Sequence, residues 1–152
     1  MTIDDFFCSS PEVLLSGLED YQQALVNELL AATGGNYEKA ADLWLGATPA
    51  QTVGFGGDHS HNKIYRDKIV DEIEKFVCGS DDTYQRDRVK ILENASATQQ
   101  YVVAVLSTAI GGNLGIAGAF LAPLIVLLII SFGKISINAW CEMRKKREES
   151  AG

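Results

Sequence analysis

The spacing of apolar residues predicts that most of the chain is helical. Between Asp20 and Ala32 the apolar side chains recur three or four residues apart, which is typical of a helix with one buried face. Four other segments have the same spacing: 11–18, 36–45, 63–78 and 80–92. Ser10-Pro11 is a typical helix start, and the two glycines of Thr33-Gly34-Gly35-Asn36 are typical of a helix end. The sequence therefore predicts an all-α fold.

A long apolar segment follows these amphipathic helices. No charged residue occurs from Asn94 to Gly133, and 23 of the 33 residues from Tyr101 to Gly133 are hydrophobic. A bilayer core needs about 20 helical residues for one span and about 40 for two, so the segment lies between the two lengths. Three arrangements remain open: one span with an apolar lead-in helix, a shallow hairpin that turns near Gly111-Gly112-Asn113, or one long tilted helix.

Small residues recur at a spacing of four within this segment, at Ser107, Gly111, Gly115 and Ala119. Small side chains at that spacing let two helix backbones approach closely, which is how helices associate in lipid. We therefore expect a glycine-zipper packing face, either between copies of the chain or against the other arm of a hairpin, although the pattern could also reflect composition alone. Pro123 lies one step farther along and is expected to kink the helix.

Charge divides the chain in the same way. Residues 1–62 carry nine acids and one base, 63–100 are nearly neutral, and 101–152 carry five bases against three acids. The acidic front half argues against nucleic acid as a partner. The tail combines Trp140 with four consecutive bases, which is typical of a membrane interface facing the cytoplasm. These interface residues are Trp140, Arg144, Lys145, Lys146 and Arg147.

No pattern of residues indicates catalysis, a metal or another cofactor. His59 and His61 are the only histidines, and we expect them to be solvated in a linker. The three cysteines Cys8, Cys78 and Cys141 form no CxxC pair, so we expect three reduced thiols in a cytosolic compartment. The start MTIDDFF lacks the features of a secretory signal, so membrane targeting is expected to depend on the internal segment.

These patterns divide the chain into five parts. We expect a small three-helix docking domain over 1–48, a flexible glycine-rich linker over 49–62, an amphipathic helical hairpin over 63–98, a hydrophobic membrane segment over 99–133, and a basic interfacial tail over 134–152.

The sequence LLAATGGNYEKAADLWL, from Leu29 to Leu45, resembles the second and third helices of the ubiquitin-associated (UBA) domain family. The resemblance covers residues 10–48 and implies a UBA-like three-helix bundle that binds a protein. The family's ubiquitin-contacting loop usually reads M-G-F. The corresponding loop here, Leu18 to Tyr21, lacks that methionine and glycine, which argues against ubiquitin as the ligand. The resemblance places the protein-binding residues at Glu19, Asp20, Tyr21, Gly34, Gly35, Trp44 and Leu45.

The order of these parts indicates a non-enzymatic adaptor. An acidic protein-binding head would be tethered to a self-associating membrane anchor, with head and tail both in the cytoplasm, and membrane lipid, a protein partner and further copies of the chain as its partners. The alternative is an oligomerising, pore-forming or membrane-disrupting effector, for instance in cell-suicide defence. A third possibility is that the apolar helices are buried in a soluble oligomer.

Overall fold

Helices are the only regular elements in the part of the chain that the computed structural model describes, residues 2–47, 59–79, 82–94 and 96–151. In chain order they are α1 (Ile3–Phe7), α2 (Pro11–Leu15), α3 (Asp20–Ala32), α4 (Tyr37–Ala47), α5 (His59–Cys78), α6 (Gln85–Leu92), α7 (Gln99–Leu114), α8 (Gly118–Ser131) and α9 (Ile137–Ala151). The all-α prediction is confirmed for these residues.

The start of α2 and the end of α3 are formed by the residues that the sequence predicted for them. The Ser10 hydroxyl accepts a hydrogen bond from the Val13 N–H, and Pro11 occupies the first turn of α2, where its missing N–H costs nothing. Helix α3 ends before Gly34 and Gly35, whose φ angles of 66° and 84° suit glycine. The helices are confirmed, and the UBA-like arrangement of α2, α3 and α4 stays a prediction.

Helix α1 precedes the first helix that the apolar spacing indicated. Thr2 and Asp5 form a reciprocal capping box at its start. The rings of Phe6 and Phe7 are both 1% exposed, and the Phe7 ring centroid lies 5.4 Å from that of Trp140. Phe7 therefore attaches α1 to α9.

Helix α8 lies at the centre of the fold. Its ten consecutive residues from Phe120 to Ile129 are all buried. Helices α7 and α4 make the most extensive contacts with it, and α2, α3 and α5 also contact it. A helix that is apolar on every side has no face to offer to water, so it requires cover all around.

A disulfide between Cys78 and Cys141 joins the end of α5 to α9 across 63 residues of sequence. The prediction of three reduced thiols is therefore wrong for these two cysteines, whereas Cys8 is free. The sequence pattern missed the pair because the two residues meet only when α9 folds back onto α5.

The predicted linker over 49–62 lies mostly outside the described residues. Its last residues are helical, because α5 begins at His59 and extends the predicted helix 63–78 by one turn. His59 and His61 therefore belong to a helix backbone, and their predicted place in a flexible linker is wrong.

Candidate functional site

The apolar segment folds into two helices, α7 and α8, joined by the short break between Leu114 and Gly118. Residues 111–113, where we expected a turn, lie inside α7, and the helix ends at Gly115 in the left-handed conformation. No single helix of the described chain has the length and hydropathy to cross a bilayer. Taken together, α7 and α8 meet both requirements, with a bend of 115° between them.

The bend brings two backbones close together at Gly111. The Ile116 N–H donates a hydrogen bond of 2.9 Å to the Gly111 carbonyl oxygen. A Cβ atom added at Gly111 would lie under 3.0 Å from the Ile116 carbonyl oxygen, which belongs to the backbone and cannot rotate away. At Gly112 an added Cβ would meet open space. The return of the chain onto α7 therefore requires glycine at 111 and not at 112.

The four predicted zipper residues lie on both sides of the break. Ser107 and Gly111 are buried in α7, and Ser107 faces Gly118 of α8, where an added Cβ would lie 3.4 Å from the Ser107 carbonyl oxygen. Gly115 is exposed at the end of α7, and Ala119 is exposed on α8. The structure therefore places Ser107 and Gly111 against α8, whereas Gly115 and Ala119 lie outside that contact.

Pro123 leaves one carbonyl oxygen of α8 without its usual helical donor. Proline has no N–H, so the carbonyl of Ala119, four residues earlier, lacks its usual helical partner. The Gln22 side chain fills this position, because its Nε2 donates to the Ala119 oxygen over 2.9 Å. Gln22 is 4% exposed, and its Oε1 also accepts from the Glu19 N–H at the start of α3. One amide thus joins α3 to α8.

Trp44 and Leu45, predicted to bind a protein, lie against α8. The Trp44 indole N–H donates to the Phe120 carbonyl oxygen over 2.9 Å, and the two rings stack with centroids 5.7 Å apart. Leu45 is 2% exposed. In this state both residues hold α4 onto the central helix.

The other predicted binding residues of the N-terminal helices lie on the surface. Glu19, Asp20 and Tyr21 are exposed at the start of α3, and Tyr21 is 54% exposed. Leu25, one turn farther along α3, is 40% exposed. Gly34 and Gly35 are exposed in the turn that follows α3. Two apolar side chains beside two carboxylates therefore form an accessible surface, which we call the α3 face (Glu19, Asp20, Tyr21 and Leu25).

A buried carboxylate joins α5 to α7 near the bend. Glu72 Oε1 accepts hydrogen bonds from the Tyr84 hydroxyl at 2.5 Å and from Asn113 Nδ2 at 2.8 Å, and Oε2 pairs with Lys75 at 2.9 Å. Burial raises the pKa of Glu72, but the hydrogen bonds from Tyr84, Lys75 and Asn113 outweigh it and lower the pKa overall. Glu72 is therefore ionised in the fold at neutral pH.

Sequence reasoning missed both of these polar contacts. Glu72 lies three residues after Ile69 and four before Phe76, so its spacing places it on the apolar face of α5. That position was the available signal for a buried carboxylate. For Gln22 the only signal was indirect, since Pro123 frees a carbonyl whose partner can come from any neighbouring helix.

The predicted membrane-interface residues divide into two groups. Trp140 is 5% exposed and packs on Phe132, with ring centroids 4.8 Å apart. Arg144 pairs with Glu74 and Asp71 of α5, and its guanidinium lies 5.8 Å from the Trp140 ring centroid. The remaining bases are exposed on α9 and have no ion pair within the described residues: Lys145, Lys146 and Arg147.

No group of three or more metal-ligating side chains occurs in the described ranges of the chain. A comparison of the chain with models of protein families, with curated proteins and with solved structures finds no match.

Proposed function

We propose that this chain is a non-enzymatic membrane adaptor in which the α7–α8 pair is the membrane-inserting element and the α3 face binds a protein. The observation that carries the proposal is the run of ten buried apolar residues in α8. A helix that is apolar on every side suits two environments, the centre of a fold and the interior of a bilayer. The folded chain provides the centre of a fold, and contact with a membrane would provide the interior of a bilayer.

The geometry of the pair favours a shallow insertion. At a rise of about 1.5 Å per residue, α7 and α8 are each shorter than the roughly 30 Å of a bilayer core. A bent pair can enter and leave on one side, which would keep the head and the basic tail in the cytoplasm. The exposed bases of α9 would lie at the level of anionic lipid headgroups.

The α3 face supports the adaptor part of the proposal. Tyr21 and Leu25 expose apolar surface beside the carboxylates of Glu19 and Asp20. Such a surface fits a protein partner with an apolar contact region and a basic rim. A photoreactive phenylalanine analogue in place of Tyr21 should give a discrete cross-linked adduct in cells, and the same analogue in place of exposed Lys63 should not. Identical adducts at both positions would contradict a docking role.

Liposome flotation tests the anchor. The full-length protein, mixed with vesicles of phosphatidylcholine and phosphatidylglycerol, should float with them and should resist extraction by high salt and alkaline carbonate. Replacing Lys145, Lys146 and Arg147 with glutamine serves as a control, because it should weaken salt-sensitive adhesion while leaving the carbonate-resistant fraction. Complete extraction by carbonate would rule out the anchor.

A second candidate is the membrane-disrupting effector, and the enclosure of α8 favours it. A permanent anchor needs no cover, whereas a toxic segment must stay covered until release. In lipid, the small residues that now face α8, Ser107 and Gly111, would be free to pack against α7 of a second copy of the chain. Leakage of a dye from vesicles, together with cross-linked oligomers in the membrane, would favour this candidate, and tight binding without leakage would favour the adaptor.

A further inference from the structure

The strongest unassigned feature is a cavity of about 650 Å³ beside the disulfide. It lies where the start of α1, the end of α5, α6 and α9 meet, and both Cys78 and Cys141 line it. The two cysteines are half-buried. A small molecule in this cavity would therefore lie beside both cysteines.

The cavity also carries charges of both signs. Arg88 and Lys145 line it together with Asp4 and Glu142. Arg88 packs against Gly79, and its Nε is buried without a hydrogen-bond partner. Within the described residues no carboxylate forms an ion pair with Arg88 or Lys145. The walls thus offer two cations to a carboxylate and two anions to an ammonium group.

We propose that this cavity binds a low-molecular-weight thiol that carries both an ammonium group and carboxylates, and that the bound thiol reduces the Cys78–Cys141 disulfide. The carboxylates would bind Arg88 and Lys145, and the ammonium would lie near Asp4 and Glu142. Binding would place the sulfur of the thiol beside the disulfide. The site stands on its own, whether or not the protein enters a membrane.

The reaction is a thiol–disulfide exchange that uses two molecules of the small thiol. The first thiolate attacks one sulfur of the cystine, the S–S bond breaks, and the departing cysteine thiolate takes up a proton. A second thiolate then attacks the mixed disulfide. The products are two cysteine thiols and the oxidised dimer of the small thiol, and α9 is no longer linked covalently to α5.

Reduction by glutathione, compared with reduction by uncharged 2-mercaptoethanol, tests the site. The rate for each thiol is measured by alkylation and mass analysis of the Cys78 and Cys141 peptides. The glutathione ratio is the rate with glutathione divided by the rate with 2-mercaptoethanol. A general change in disulfide exposure alters both rates by the same factor and so leaves this ratio unchanged. In Arg88→Met the glutathione ratio should fall by about 10- to 100-fold, the value of one hydrogen bond to a charged group. The matched control Arg86→Met, an exposed arginine of α6, should leave the ratio unchanged.

A competition experiment on the unmodified protein avoids any effect of the substitutions on folding. S-methylglutathione has the same charges but no free thiol, so it should occupy the cavity and slow reduction by 2-mercaptoethanol. An unchanged rate at saturating S-methylglutathione, or the same glutathione ratio in Arg88→Met and in the unmodified protein, would overturn the proposal.

Discussion

Substituting alanine for Gly111 tests whether the bend between α7 and α8 depends on close backbone approach. In an exposed helix, glycine to alanine gains about 0.5 to 1 kcal/mol of stability, because the unfolded chain loses freedom. At Gly112 the added methyl group meets open space, so Gly112→Ala should show this gain. At Gly111 the methyl group would collide with the Ile116 carbonyl oxygen.

The collision determines the size of the expected difference. Overpacking by one methyl group costs about 1 to 3 kcal/mol, and here the obstacle is a backbone atom of Ile116, a residue whose N–H is hydrogen-bonded to the Gly111 carbonyl oxygen. After the intrinsic gain is subtracted, Gly111→Ala should destabilise the fold by up to about 2.5 kcal/mol. The same intrinsic gain applies at both positions, so Gly112→Ala should be more stable than Gly111→Ala by the overpacking cost, roughly 1 to 3 kcal/mol.

Urea denaturation followed by circular dichroism measures the difference, with the disulfide kept oxidised in all three proteins. Equal slopes with different midpoints would show that stability, and not the compactness of the unfolded state, has changed. Equal stability of the two variants, or a more stable Gly111→Ala, would mean that the chain does not fold back onto α7 at this glycine.

Further substitutions test three other contacts. Gln22→Leu should cost about 1 kcal/mol in urea denaturation, the net value of one hydrogen bond, because it removes the side-chain donor to the Ala119 carbonyl oxygen. Pro123→Ala restores a helical N–H and should shrink that cost, and an equal cost in both backgrounds would argue against the contact. Replacing both Cys78 and Cys141 with alanine should lower the free energy of unfolding by about 4 kcal/mol, because the disulfide closes a loop of 63 residues and restricts the unfolded chain. An unchanged urea midpoint would mean that the bond does not form. The pKa of Glu72 is lowered in the fold, so its contribution to folding stability is present above about pH 4.3, the pKa of an ordinary glutamate, and is lost as the pH falls through the folded pKa. In a plot of the urea midpoint against pH, Glu72→Gln should therefore reduce the fall in stability at acid pH. Identical plots for the two proteins would contradict the hydrogen bonds that Glu72 accepts.

Local signals predicted the helices because their causes lie within a few residues. Ser10 and Pro11 define the start of α2 through their own hydrogen bonds and dihedral angles, and Gly34 and Gly35 end α3 for the same kind of reason. The break after Leu114 was harder to place, since three glycines occur within five residues. Only contact with the returning chain distinguishes Gly111, which must be glycine inside the helix, from Gly115, which ends it.

Contacts between distant parts of the chain could not be predicted from the sequence. An apolar helix has the same composition at the centre of a fold and in a bilayer, so the pattern from which we expected a membrane segment also fits the buried place of α8 in the fold. The pairing of Cys78 with Cys141 and the bond from Gln22 to Ala119 both arise from the packing of helices that are far apart in sequence. Trp140 illustrates the same limit, because a tryptophan near bases is typical of a membrane interface, and here it is covered by Phe7 and Phe132.

We propose that α8 can exchange its protein cover for lipid. Photolabelling with a carbene precursor on the acyl chain of phosphatidylcholine tests it directly in the unmodified, full-length protein bound to anionic vesicles. We expect label on residues of Phe120–Ile129, which are buried in the folded chain. Label confined to side chains that are already exposed, such as Met143 on α9, would contradict it.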